Sequence, residues 1–220
     1  MRALIAMFLL SSVAGLAAAE PNVAGEDLLG DAKTAAQSGR PDAAQAALNE
    51  LDKRGTPSAL ALDLRGSIYL EQGKYDEAMK AFRAAQELDH AIYLPRLHVG
   101  DTALRQQKWT EARAAYELAM KSTNILVLSE RLRYAILITY LGAKDDAGAK
   151  AALTRVVFPT ETPAYYYAQA AWAFAHGDSK AGVKWMKTAE GIFDAKKSAW
   201  FARPLYDLGW IKTKPPLALD

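Results

Sequence analysis

The 220-residue chain contains no cysteine. Disulfides, thiolate catalysis, cysteine-ligated zinc or iron–sulfur centres and lipid attachment through cysteine are thereby excluded. Histidine is scarce: His90, His98 and His176 are the whole set. No two of them stand at the i, i+4 spacing that places metal ligands on one helix face, so no metal site is expected. No GxSxG, GxxxxGK[ST] or GxGxxG motif is present, and no serine comes with a paired base. An excess of one charge is missing too. Lys and Arg number 27 against 25 Asp and Glu, a net charge of +2. That balance gives no electrostatic case for nucleic acid. Glycine and proline number only 14 and 9, and hydrophobic residues reach 51%. The composition is that of a globular chain rather than a disordered or collagen-like one.

Residues 1–19, MRALIAMFLLSSVAGLAAA, carry one charge, Arg2, ahead of an apolar run. Ala17-Ala18-Ala19 supplies the small residues that signal peptidase reads, and Glu20-Pro21 follows. This is a secretory leader pattern, with cleavage expected after Ala19 and a periplasmic or secreted mature chain. The alternative is a retained membrane anchor, for which the run is short and weakly apolar at its end.

Five stretches recur in step: SGRPDAAQAAL, QGKYDEAMKAF, QQKWTEARAAY, LGAKDDAGAKAAL and HGDSKAGVKWM. Aligned on Gly39, Gly73, Gln107, Gly142 and Gly177, they are spaced 34, 34, 35 and 35 residues apart. Five residues after each anchor stand Ala44, Ala78, Ala112, Ala147 and Gly182; seven before stand Ala32, Gly66, Gly100, Ala135 and Ala170. Leu48, Phe82, Tyr116, Ala151 and Met186 follow each anchor by nine. Apolar residues return at three and four on both sides, as in Leu60, Leu64 and Ile68, then Tyr75, Ala78, Met79 and Phe82. Each unit therefore reads as two amphipathic helices joined at a left-handed turn residue. Small residues let the two axes approach closely, and the bulky ninth residue is expected to fill the space between hairpins.

The pattern resembles the tetratricopeptide repeat (TPR) family, over residues 25–196. Residues 59–92 carry it best, through Gly66, Tyr69, Gly73, Tyr75, Ala78, Phe82 and Ala85. Residues 93–126 follow with Gly100, Trp109, Ala112, Tyr116 and Ala119. Residues 128–161 keep Gly142, Ala147 and a closing Pro159, while 25–58 and 163–196 match more weakly. The resemblance implies an all-α, right-handed TPR-type α-solenoid of about five hairpins spanning residues 20–196, with a C-terminal capping segment and tail at 197–220. Trp200, Phe201, Leu205, Tyr206, Leu208, Trp210 and Ile211 make that last segment apolar, as an array end requires. A docking surface is the other reading of the same aromatics.

The resemblance further implies that first helices line a concave groove. Its contact positions fall on Asp63, Ser67, Glu71, Asp101, Arg105, Thr139, Tyr140 and Tyr167, with Lys33 and Gln37 at the near end; His98 lies close by. Family members that clamp a C-terminal carboxylate use Lys and Asn at fixed positions. Here Asp101 occupies one of those positions and no Asn does. The expected function is an exported scaffold that binds a protein or peptide partner in this groove, without catalysis or cofactor; the groove otherwise packs on the chain's own tail or on a second copy. Two rivals stand beside it. One is a cell-envelope enzyme using groove carboxylates; the other is an assembly factor tethered to the membrane by an uncleaved N-terminus.

Overall fold

A computed structural model describes residues 23–55, 58–121 and 123–219. The expected leader and its cleavage site lie outside the described residues. The described chain is helical, with no strand. Five hairpins follow one another: α1 (Val23–Gln37) with α2 (Pro41–Lys53), α3 (Ala59–Glu71) with α4 (Tyr75–Leu88), and α5 (Leu94–Arg105) with α6 (Trp109–Lys121). Then come α7 (Leu126–Gly142) with α8 (Asp146–Leu153), and α9 (Ala164–Ala175) with α10 (Ser179–Glu190). A last helix, α11 (Ala195–Asp207), leads into an extended tail.

The same backbone turn closes all five hairpins. Gly39, Gly73, Gln107, Lys144 and Gly177 take φ of 69°, 73°, 57°, 57° and 81°. In each, the next residue's N–H donates to the carbonyl five residues back: Arg40 to Ala35, Lys74 to Tyr69, Lys108 to Ala103, Asp145 to Tyr140 and Asp178 to Ala173. This pairing satisfies carbonyls that the helix end would otherwise leave open. The fourth turn corrects the sequence alignment. Lys144, not Gly142, is the left-handed residue, so the turns are spaced 34, 34, 37 and 33. Gly142 is the last residue of α7 and serves another need: a Cβ there would lie within 3 Å of the Trp109 ring. The small residue of α8 shifts in step. Ala149 is fully buried, whereas Ala147 is exposed.

Close approach within each hairpin has a visible cause. A Cβ on Gly66 would come within 3 Å of the Phe82 ring, and one on Gly100 would collide with the Tyr116 ring. The bulky residue of the second helix therefore lies on the bare backbone of its own first helix, and the Phe82 ring also meets the next hairpin, 5.0 Å from the His98 ring on α5. Phe82 and Tyr116 are fully buried as a result. Burying one such ring contributes roughly 2–3 kcal/mol.

Side chains fix the joints between hairpins. The Glu130 carboxylate on α7 accepts from the Thr160 hydroxyl at 2.7 Å, the Thr162 hydroxyl at 2.6 Å and the Thr162 N–H at 2.9 Å. These bonds hold the α8–α9 loop against α7. Burial would raise the Glu130 pKa, but the donated hydrogen bonds outweigh it and lower the carboxyl below its ordinary value. Asp145, Asp178 and Asp194 cap α8, α10 and α11 through N–H donors three residues on.

The end of the array differs from its middle. Eight residues after the five turn residues stand Ala47, Ala81, Ala115, Ala152 and Trp185. The first four leave room for a following hairpin. Trp185 has none to meet, and its ring lies 6.0 Å from Tyr165 and 6.3 Å from Tyr166. Phe193 sits 6.1 Å from Tyr166, so aromatic rings cover this end.

The reassigned turn makes a test. Lys144→Gly relieves a left-handed lysine and is expected to stabilise the chain by up to about 1 kcal/mol. Gly142→Ala forces the Trp109 ring aside and is expected to destabilise it by about 1–3 kcal/mol. Thermal melts of both variants check the pair; the opposite ordering contradicts the assignment.

Candidate functional site

The first helices α3, α5, α7 and α9 form one face of the array, and α11 lies across it. The contacts span the array. Tyr134 on α7 donates its hydroxyl to the Phe201 carbonyl at 2.6 Å, and its ring sits 5.3 Å from that of Phe201. Tyr167 on α9 holds the same Phe201 ring at 6.0 Å. The Arg131 guanidinium lies 4.4 Å from the centre of the Trp200 ring. On α5, Asp101 accepts from the Trp200 indole N–H at 3.4 Å, and on α3 Glu71 accepts twice from Arg203, at 2.6 and 2.7 Å. Phe201 and Leu205 are buried in this face.

Proline does not break α11. Pro204 is within the helix, and its carbonyl still accepts from the Leu208 N–H. The helix ends at Asp207 and the chain turns at Gly209, φ 75°, where Trp210 N–H donates to the Leu205 carbonyl. That is the hairpin turn a sixth time, but no second helix follows. The chain runs on as an extended tail instead. Lys214 Nζ comes within 3.3 Å of Glu71, and Leu217 and Leu219 join the apolar cluster of Ala32, Leu64 and Ile68. The aromatic residues expected to cap the array are thus spent largely on its inner face.

Glu71 is the electrostatic centre of this arrangement. Arg105 approaches it at 2.5 Å from α5, Arg203 at 2.6 Å from α11 and Lys214 at 3.3 Å from the tail. Burial alone would raise its pKa. The Arg105 guanidinium, then Arg203, outweigh that and hold the carboxyl down at about 2 against an ordinary 4.5. Asp207 completes the network, 2.9 Å from Arg203 and 3.5 Å from Arg105.

Most residues named from the sequence meet here, already engaged. Asp63 and His98 are buried and paired at 2.8 Å. Ser67 lines a residual cavity of about 60 Å³ under α11, together with His98, Asp101 and Tyr116. Asp101 also accepts the Tyr116 hydroxyl at 2.6 Å. Burial, then the Asp101 charge, pushes that phenol well above its usual pKa. Arg105 donates to the Leu70 carbonyl at 3.0 Å besides its contact with Glu71. Tyr167 is buried beneath α11.

Thr139 and Tyr140 belong elsewhere. Thr139 is fully buried and donates to the Ile136 carbonyl. The Tyr140 ring lies against Gly148 of α8, with the Arg113 guanidinium 3.9 Å from its centre. They stand three and two residues before Gly142, and the same count from Lys144 gives Leu141 and Gly142. The contact positions thirteen and ten residues before Lys144 are Arg131 and Tyr134. Both of these α7 residues meet α11, and the positive-φ turn is the signal that finds them. Among the described residues, no group of three or more acidic or histidine side chains could hold a metal ion. No described helix is long and apolar enough to cross a membrane.

Comparisons with known proteins agree with this architecture. Residues 59–91 match the family model described as tetratricopeptide repeat. No curated protein matches the chain. Among solved structures, the chain is similar to a tetratricopeptide repeat protein from Parabacteroides merdae ATCC 43184. The TM-score is 0.55 at 13% identity, over 86% of this chain and 75% of that one. At that identity the likeness shows the fold.

The Glu71 pKa gives a signed expectation. A carboxyl depressed on folding stabilises the folded chain above pH 4.5, and that contribution is lost as pH falls from 4.5 toward 2. The contribution is on the order of 3 kcal/mol. Urea melts at pH 5.5 and pH 2.5 should therefore show a larger loss for wild type than for Glu71→Gln. Equal losses contradict the assignment.

Proposed function

Starting from a chain that carries a tetratricopeptide repeat at residues 59–91 in a fold of that repeat type, we propose that it is an exported scaffold. It binds a protein partner through the face formed by α3, α5, α7 and α9, and it catalyses nothing. Tetratricopeptide repeats generally mediate protein–protein interaction. The observation that carries the reading here is the chemistry of the face itself. It already takes up a helix through aromatic pockets at Tyr134 and Tyr167 and an ionic pocket at Glu71. Aromatic anchors seated beside desolvated charges are how a groove selects an amphipathic helix.

The groove carboxylates speak for binding over acid–base chemistry. Asp63 is paired with His98, Asp101 accepts from Tyr116 and Trp200, and Glu71 is held by three cations. Each is thus engaged by its neighbours, and Glu71 is held below its ordinary pKa rather than raised as a general acid would be. Export rests on residues 1–19, whose charged start, apolar run and Ala17-Ala18-Ala19 form a leader. A homodimer and a retained membrane tether are the competing forms of the same scaffold.

Two measurements test the reading. Chain recovered from an export-competent host should begin at Glu20 by mass spectrometry; an intact Met1 overturns export with cleavage and favours the tether. Pull-down with wild type and Asp101→Arg should recover a specific partner with wild type only, with at least a ~10-fold difference. Equal recovery by a variant that keeps its melting temperature rejects the groove as the binding face.

A further inference from the structure

The occupant of the groove has a chemistry of its own, and that chemistry describes the partner. In order along the chain it presents adjacent aromatics, Trp200 and Phe201, then Arg203, then Leu205, and after the turn at Gly209 an extended stretch through Pro215 and Pro216 to Leu217 and Leu219. Each element meets a matched pocket. Arg131 and Asp101 flank the indole, Tyr134 and Tyr167 hold Phe201, Glu71 takes the cation, and the Ala32–Leu64–Ile68 cluster takes the last leucines.

The fit is incomplete in three places. The Trp200 indole reaches Asp101 only at 3.4 Å, while Tyr116 holds the same carboxylate at 2.6 Å. A cavity of about 60 Å³ remains between the groove floor and α11, lined by Ser67, His98, Asp101, Tyr116 and Trp200. The junction from α10 to α11 is open: Gly191 and Asp194 are exposed, and Ile192 is 56% exposed. A helix seated on side-chain pockets, over a partly unfilled floor and behind an exposed junction, is built to leave without unfolding the hairpins.

We propose that residues 195–219 are a ligand held in cis, and that the groove's partner is a protein segment of the same chemistry. That partner is a helix with an aromatic pair and, two residues on, a cation, continued by an extended apolar tail. It binds by displacing α11 and its tail. The inference rests on the scaffold reading and adds to it the partner's chemistry and a mode of regulation. Tethering gives the cis segment an effective concentration in the mM range, so a free segment of equal intrinsic affinity competes poorly until the tethered one is weakened.

The probe is a synthetic, fluorescently labelled peptide of residues 195–219, added to the full chain. Wild type should bind it weakly. The full chain carrying Trp200→Ala and Arg203→Ala should bind it at least ~10-fold more tightly. The same two changes placed in the peptide should abolish binding, and Glu71→Lys in the groove should do the same. No gain in a double variant that keeps its helical spectrum and cooperative melt overturns the proposal. Native-state hydrogen exchange on wild type reads the same point without a variant. Amides of α11 should exchange through an opening that leaves α7 and α9 protected, and exchange of α11 only on global unfolding overturns the proposal. A chain that exchanges the peptide but has no partner in the cell contradicts the scaffold reading alone. A chain with a partner that leaves α11 in place contradicts this inference alone.

Discussion

Everything in this molecule depends on how closely two helices of a hairpin can approach. At Gly66 and Gly100 the first helix offers bare backbone, and an aromatic ring from the second helix lies directly on it. Any side chain there pushes the ring out and the axes apart. The repeated turn has the same consequence from the other direction. One left-handed residue and one N–H bonded five residues back reverse the chain in the least space, five times over and once more after α11. Closely packed hairpins with short turns stack in register, and stacking brings the first helices to one face.

That face is why the C-terminal segment goes where it does. An array end needs cover, and the sequence supplies a strongly apolar last segment. Yet the terminal hairpin has its own cover in Trp185, Tyr165, Tyr166 and Phe193. The inner face still needs cover, and it carries carboxylates as well as aromatics. Glu71 would be a costly buried anion without cations. Arg105 supplies one from the array, and Arg203 and Lys214 come from the segment. Apolar burial drives α11 into the groove, and the ionic pocket fixes its register there.

Much of the repeat architecture is legible in the sequence. Gly66, Gly73 and Gly100 each do what their spacing implies, and the Phe82 and Tyr116 rings seat on the glycines sixteen residues before them, because hairpin packing is local in sequence. The fourth repeat misleads for a physical reason. Glycine has two uses, a left-handed turn and a close approach, and Gly142 serves the second while Lys144 takes the first. A two-residue error then moves the positions thirteen and ten before the turn from Arg131 and Tyr134 to Ser129 and Leu132. The chain's own tail is one of the groove occupants the sequence allows, but its individual contacts are not legible there. Arg203 and Glu71 are 132 residues apart, and no periodic signal joins a half repeat at the chain's end to a helix near its start.

The central claim is that residues 195–219 occupy the inner face in solution. The most direct measurement is a double-mutant cycle on Glu71 and Arg203, using Glu71→Gln, Arg203→Gln and the pair, read by denaturant unfolding at neutral pH. A coupling of about 1 kcal/mol or more is expected for groups in contact. Strict additivity of the two single changes would mean that the helix and the groove do not meet.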